Sequence, residues 1–254
     1  MKSVIWISTP PRTGSMWTYN VTRELMRRVG RDVEPEEAPH EEEESFRLAV
    51  QEGFENTDPN RVWVLKVHKA LTANMPSSKI ITVHRDPRDA VVSFMSFMNV
   101  GFDQAKSLAK NFAKYTELYQ HYDDTLLHML RYEDIVNRPE AVIGEIASFT
   151  DVPCSDALAA AIAEKFSRKK VQTLTQQIDQ ELESKLRDGV NPEPQEIVRI
   201  TDTNYRARDA QTGFQTGHVS GRKTGDWKTI LTKAQQDELT RGLEDWLIRY
   251  GYEV

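Results

Sequence analysis

Short apolar runs alternate with longer amphipathic segments along most of the chain. Val4, Ile5, Trp6 and Ile7 form the first run, and Pro10, Pro11 and Gly14 punctuate the chain directly after it. A β-rich apolar run closed by such residues predicts a strand followed by a loop. From about Ser15 the apolar positions Val21, Leu25 and Val29 recur every four residues, with Arg23, Arg27 and Arg28 off that stripe, which predicts a helix packed by one side. Residues 62–67, 80–83 and 126–130 predict three further strands, and helical patterns cover the run after Asp86-Pro87 and residues 102–122, 139–149 and 155–168. Asp86 fits an N-cap with Pro87 at the first helical position. Strands alternating with helices imply right-handed crossovers and a parallel sheet, with ligands bound beyond the carboxyl ends of the strands. The expected fold is therefore α/β, a central mainly parallel sheet flanked by helices, in a single domain spanning residues 1–254.

The later part of the chain is less regular. Residues 169–220 are poorer in apolar side chains and contain a helical stretch near 172–188 followed by a Pro-, Thr-, Asp- and Arg-containing segment. This reads as an excursion over the sheet edge, of the kind that forms lids or acceptor pockets. A final helix is expected from Lys233 to Tyr250, with Thr232 as N-cap and Gln235 completing a capping box. The acidic run over residues 34–45 reads as a solvated loop or helix start. Its functional alternative is a guard at an acceptor entrance that favours cationic acceptors.

At 254 residues, 39% of them hydrophobic, the chain can bury one large core. The net charge of −6 argues against general nucleic-acid binding. The single cysteine, Cys154, excludes an internal disulfide and a cysteine metal cluster, and points to a reducing compartment, the cytoplasm. No apolar run reaches the length of a membrane helix and the N-terminus has no signal-peptide pattern. No metal, nucleic acid or membrane is expected as a partner.

Four expected strand ends each deliver chemistry to one edge. After the first strand, Arg12 precedes a helix whose unsatisfied N–H groups favour an anion, typically a phosphate. The GxxxxGK[ST] signature of a nucleoside-triphosphate loop is missing, and a turn that binds nothing remains the alternative on this stretch alone. Lys66, His68 and Lys69 stand at the second strand end, Arg85 at the third and Tyr132 at the fourth. Gly221 to Gly225 enclose Arg222 and Lys223 and read as a second anion-binding loop.

Taken in order, TPPRTGSMW, VHRDPRDAVVSF, LRYEDI and GRKTGDWK resemble the phosphate- and adenine-binding segments of sulfotransferases that use 3′-phosphoadenosine 5′-phosphosulfate (PAPS). The resemblance spans nearly the whole chain and implies a P-loop-like strand-loop-helix for the phosphosulfate. By that likeness Arg12, Thr13, Gly14, Ser15 and Met16 wrap the 5′-phosphosulfate. Arg85, Ser93, Arg222 and Lys223 hold the 3′-phosphate, and Trp17, Tyr132 and Phe166 contact adenine. His68 corresponds to the family's catalytic base, with Lys66 and Arg12 stabilising the transferring group. Core roles for Trp17 and Phe166, a buried helix serine at Ser93, a strand-end histidine at His68 and surface ion pairs for Arg12 and Arg85 are the alternatives.

Three departures stand out. Arg12 replaces the lysine usual in cytosolic members, as it often does in carbohydrate-directed ones. The late basic pair stands closer to Gly-Asp-Trp than in RKGxxGDW. Lys228 to Asp237 resembles the dimer motif KxxxTVxxxE, with Lys233 and Asp237 in place of Val and Glu, so a monomer or weak homodimer is expected. The implied activity is sulfuryl transfer from PAPS to a hydroxyl or amine of a small-molecule or glycan acceptor, leaving adenosine 3′,5′-bisphosphate (PAP). A nucleotide kinase-like phosphotransferase and a non-catalytic nucleotide-binding protein are the rivals.

Overall fold

The first apolar run becomes the middle of the sheet, where a strand of a parallel sheet is covered on both faces and paired on both edges. The computed structural model describes residues 2–71, 75–201, 204–219 and 221–254. Strands β1 (Val4–Ser8), β2 (Asp32–Glu34), β3 (Arg61–Val67), β4 (Ser78–His84) and β5 (Leu127–Arg131) lie in the order β2-β3-β1-β4-β5. Every pairing is parallel, with Ile5 opposite Val64 and Lys79 on its two sides. All five residues of β1 are buried, and the alternation of a strand sends them to opposite faces. Ile5 and Ile7 join Val21, Leu25, Ile143 and Ile146 in one core layer. Val4 and Trp6 join Leu65, Tyr115 and Tyr119 in the other.

The helices are α1 (Ser15–Arg28), α2 (Glu42–Leu48), α3 (Pro87–Met98), α4 (Phe102–Ala105), α5 (Ser107–Leu118), α6 (Tyr132–Asn137), α7 (Pro139–Phe149), α8 (Asp156–Lys165), α9 (Arg168–Arg187), α10 (Trp227–Ile230), α11 (Lys233–Arg241) and α12 (Glu244–Arg249). Among the described residues none is long and apolar enough to cross a membrane. The expected α/β fold with a central parallel sheet is the observed one. Asp86 caps α3 by accepting from the Arg88 N–H at 2.9 Å, with Pro87 at its first position.

Four elements differ from expectation. The sheet has a fifth strand, β2, whose three residues are exposed or half-buried and so carry no apolar pattern. The single helix expected over 102–122 is two, separated at Lys106, whose carbonyl accepts from the Ala109 N–H at 3.2 Å in a tightened turn. The final helix also divides: the Leu243 N–H bonds back three residues to Thr240 at 2.8 Å, and the break turns Leu243, Trp246 and Leu247 into one core cluster. Within 169–220 an antiparallel hairpin, β6 (Ile197–Thr201) and β7 (Asn204–Ala207), follows α9.

Arg88, next to the cavity-facing Arg85 in the same short motif, is structural. It is 1% exposed, binds both Asp86 carboxylate oxygens, lies 3.9 Å over the Trp227 ring and donates to the Glu253 carbonyl at 2.5 Å. Breaking a buried pair strands the remaining charge, at a cost of about 3–5 kcal/mol. Denaturant unfolding of Arg88→Ala should show a loss of that order, whereas Arg85→Ala should unfold within about 1 kcal/mol of the parent protein. Equal losses for the two variants would refute the division of roles.

Candidate functional site

The loop from β1 to α1 is shaped by two left-handed residues. Arg12 has φ 68° and Gly14 φ 91°, a region that costs a non-glycine residue about 1–2 kcal/mol. The Arg12 conformation is held from outside, since Arg85 Nη1 donates to the Arg12 carbonyl at 2.9 Å. A Cβ at Gly14 would come within 3.1 Å of the Tyr132 ring, so glycine allows both the turn and the close approach of α6. Helix α1 starts with no side-chain cap and no acidic residue in its first turn. Its first N–H groups and its dipole are therefore left for an external anion.

A cavity of about 850 Å³ opens in front of this loop at the carboxyl ends of the strands. Arg12, Gly14, Ser15, Met16, Trp17, Lys66, His68, Arg85, Ser93, Tyr132, Phe166 and Arg222 all line it. Thr13 lies just beneath, with its hydroxyl bonded to the Pro10 carbonyl at 2.6 Å. Trp17 and Phe166 serve the wall and the core at once. Lys223 does not reach the wall and is exposed.

The late loop works differently from expectation. The Lys223 N–H bonds to Asp226 at 2.7 Å, and the Gly225 and Trp227 N–H groups bond to Asp89 at 2.7 and 3.3 Å. Those backbone donors are spent on the protein's own carboxylates. The loop instead brings one guanidinium, Arg222, to the cavity.

Positive charge accumulates on one side, and among the described residues Arg12, Arg85 and Arg222 make no ion pair with a carboxylate. Arg85 lies 4.1 Å over the Tyr132 ring, and the Nε atoms of Arg85 and Arg222 are buried with no hydrogen-bond partner. Buried guanidinium N–H groups left unpaired are costly, and both atoms are free to donate to an anion in the cavity. Arg12 Nε donates to the Ser93 hydroxyl at 3.1 Å and its guanidinium lies 4.2 Å over Phe97. Burial first, and then Arg85, lower the Arg12 pKa to about 10.

The end of β3 supplies the titratable pair. His68 Nδ1 lies 2.8 Å from the Thr9 carbonyl, and a carbonyl can only accept, so Nδ1 carries the proton and Nε2 keeps its lone pair. Lys66 Nζ lies 3.3 Å from that Nε2. Burial and then Lys66 lower the His68 pKa to about 3, and burial lowers Lys66 to about 8. Helix α2 braces the pair: Glu42 accepts from the His68 backbone N–H at 2.6 Å and Ser45 donates to the Lys66 carbonyl at 3.2 Å. The acidic run thus contributes a turn of helix to the cavity wall, with Lys69 paired to Glu43 at 3.2 Å.

Sequence reasoning missed His218, Phe97 and Phe214, which complete the far wall. His218 stacks on Phe97 at 5.5 Å and meets the edge of Phe214 at 6.1 Å. Only their place within the expected excursion and the α3 helix hinted at them.

The model of the sulfotransferase domain matches residues 2–193. Sulfotransferase 6B1 of Danio rerio is 29% identical over 177 residues, covering 60% of this chain and 58% of that protein, so the chain spans less than two thirds of its relative's length. Retinol dehydratase, solved in complex with androsterone and inactive cofactor PAP, superposes with a TM-score of 0.59 at 15% identity, covering 97% of this chain and 81% of that one. Mouse sulfotransferase SULT7A1 complexed with PAP gives 0.60 at 18% identity, covering 96% and 84%. These two likenesses establish a shared fold. Because the domain match takes in every strand of the large sheet and the loops that carry Arg12, His68, Arg85 and Tyr132, the chain belongs to the sulfotransferase domain family.

Proposed function

We propose that the protein transfers a sulfuryl group from PAPS to a hydroxyl or amine of a small-molecule or glycan acceptor, with His68 as general base. One observation carries the reading: two guanidinium groups, the buried Arg85 and the half-buried Arg222, keep a buried Nε without a partner among the described residues, on the same cavity that receives the uncapped start of α1. A donor with phosphate groups at two positions satisfies both ends, and the half-buried Trp17 and Tyr132 rings that line the same cavity suit an adenine. PAP in the two structural neighbours supports the same donor class.

When bound, PAPS supplies the sulfuryl group and departs as PAP. The protein's own task is to hold the reactants in line and to neutralise charge on the oxygens. Arg12, always protonated at neutral pH, and the α1 N-terminus provide a fixed positive field. Lys66 adds an ammonium that turns from His68 Nε2 toward the phosphosulfate. That movement frees Nε2 to take the acceptor's proton, with the ring kept in orientation by Thr9. The 169–220 excursion forms the acceptor side through Phe214, Gln215 and His218.

The pH dependence follows from the two lowered pKa values. His68 loses its proton near pH 3, below its ordinary 6.5, so the base is already neutral throughout the physiological range. Lys66 loses its charge near pH 8, and its contribution to the positive field fades above that value. The kcat/KM profile, which reports the free enzyme, should therefore be flat from about pH 5 to 7 and fall above about 8. Lys66→Arg should move that alkaline fall upward. A steep acid limb near 6.5 would overturn the assignment of a low histidine pKa.

Donor choice is tested by thermal shift: PAP should raise Tm more than ATP or ADP at equal concentration, and an equal or larger shift with ATP would favour phosphotransfer. By calorimetry Arg85→Ala should weaken PAP binding 10- to 100-fold, about 1.5–3 kcal/mol. His68→Asn retains polarity without an equivalent base, so transfer should drop by about 10² to 10⁴ while PAP affinity stays near the parent value. Unchanged transfer would remove His68 from the chemistry and leave the donor site standing.

A further inference from the structure

The cavity holds a second imidazole, and its hydrogen bonds are the mirror of those of His68. The His218 backbone N–H donates to the Gln215 carbonyl at 3.0 Å, and the Gln215 N–H donates to His218 Nδ1 at 2.9 Å. A backbone N–H can only donate, so Nδ1 is the acceptor and a neutral ring carries its proton on Nε2. His68 is the opposite case, with its proton fixed on Nδ1 by the Thr9 carbonyl and Nε2 left as acceptor.

The His218 ring has little freedom. It lies nearly parallel to Phe97, at 14°, and edge-on to Phe214, at 77°. The loop that carries it is tied at several points: the Asp209 N–H bonds to the Phe214 carbonyl at 2.9 Å, and Arg208 pairs with Gln215 in an isolated bridge. Gly213 has φ 69°, and a Cβ there would approach Met16 Cε to 2.9 Å, so the loop sits directly on α1. Arg12 Nη2 donates to the His218 carbonyl at 3.4 Å. Burial and the neighbouring Arg12 and Lys66 push the His218 pKa well below its ordinary value, which keeps the ring neutral. Among the described residues Nε2 makes no hydrogen bond, and the ring lines the cavity.

Resting on the sulfuryl-transfer reading above, we infer that His218 is a positioning residue whose Nε2–H donates to the attacking atom of the acceptor, and that the pair His68 and His218 thereby selects a hydroxyl over an amine. The reason is the count of lone pairs. A hydroxyl oxygen has one proton and two lone pairs. It gives the proton to His68 Nε2, accepts from His218 with one pair and attacks sulfur with the other. The new O–S bond forms as the S–O bond to the 5′-phosphate breaks, the departing oxygen keeps the bonding pair, and the acceptor's proton ends on His68. A neutral amine has one lone pair. Engaged by His218 it cannot attack, and left free to attack it gives the half-buried His218 donor no partner.

The test uses 2-naphthol and 2-naphthylamine, which share ring and size, with PAPS as donor. The parent protein should prefer 2-naphthol. His218→Phe retains the stacking on Phe97 without the donor, and should lower the ratio of kcat/KM for naphthol to that for naphthylamine by about 10-fold or more, with PAP affinity unchanged by calorimetry. His218→Gln, whose amide can donate, should recover part of the ratio. Long-range 1H–15N spectra of the labelled protein read the tautomers without turnover and should show Nε2–H at His218 and Nδ1–H at His68. A parent preference for the amine, an unaltered ratio in His218→Phe, or Nδ1–H at His218 would overturn the inference while PAP binding upheld the donor site. Failure to bind PAP would overturn the reading on which it rests.

Discussion

Uncompensated positive charge at one edge of the sheet is the constraint that the rest of the structure serves. Arg12, Lys66, Arg85 and Arg222 share a cavity wall in which the buried Nε atoms of Arg85 and Arg222 have no partner among the described residues. Like charges held together in low dielectric repel, and here burial first, and then the neighbouring Arg85, lower the Arg12 pKa to about 10. The arrangement persists because the Arg12 and Arg85 guanidinium groups are fixed by something other than a carboxylate. Arg85 lies on Tyr132 and bonds to the Arg12 carbonyl, Arg12 lies on Phe97 and bonds to Ser93, and the Arg222 carbonyl is held by Arg168. Aromatic faces and carbonyls anchor guanidinium groups without neutralising them, so their charge remains available to an anion.

The same desolvation sets the chemistry of the histidines. In water an imidazole near pH 6.5 is half protonated, and a half-protonated base is half idle. Burial beside Lys66 takes His68 out of that range, and the Thr9 carbonyl chooses its tautomer. A low pKa makes a weak base, which in the proposed reaction is tolerable only if the proton is accepted late, as the acceptor oxygen gains positive character in forming its bond to sulfur. On that proposal an approaching phosphosulfate would also oppose the lysine's influence, because its negative charge favours the protonated imidazole. Binding of the proposed donor would thus strengthen the proposed base.

Much of this was legible in the sequence where strand ends carry the chemistry. Arg12, His68, Arg85 and Tyr132 each follow an apolar run, and a parallel sheet delivers such positions to one edge whatever the details of packing. The cap at Asp86 was legible for a similarly local reason, since the Asp-Pro pair encodes it. The rest depends on contacts distant in sequence. His218 reaches Arg12 across 206 positions, and Asn20 bonds to the Thr212 carbonyl across 192. No local pattern encodes such a meeting. The strand β2 escaped because three half-exposed residues have no periodicity, and the helix breaks at Lys106 and Leu243 escaped because each is decided by what the flanking residues bury.

The two loops read as anion sites illustrate how far composition alone reaches. Both combine glycines with basic residues, yet only the first presents backbone N–H groups to the cavity. At the first, α1 begins with no acidic side chain in its opening turn. At the second, Asp89 and Asp226 occupy the N–H groups of Gly225, Trp227 and Lys223. Asp89 belongs to the motif that also supplies Arg85 and Arg88, so three charged residues within five positions take three tasks: Arg85 faces the cavity, Arg88 fastens the C-terminus, and Asp89 fixes the late loop. That fixation is what presents Arg222 from a segment beyond the matched domain. The positive field at the cavity therefore depends on a carboxylate that never enters it.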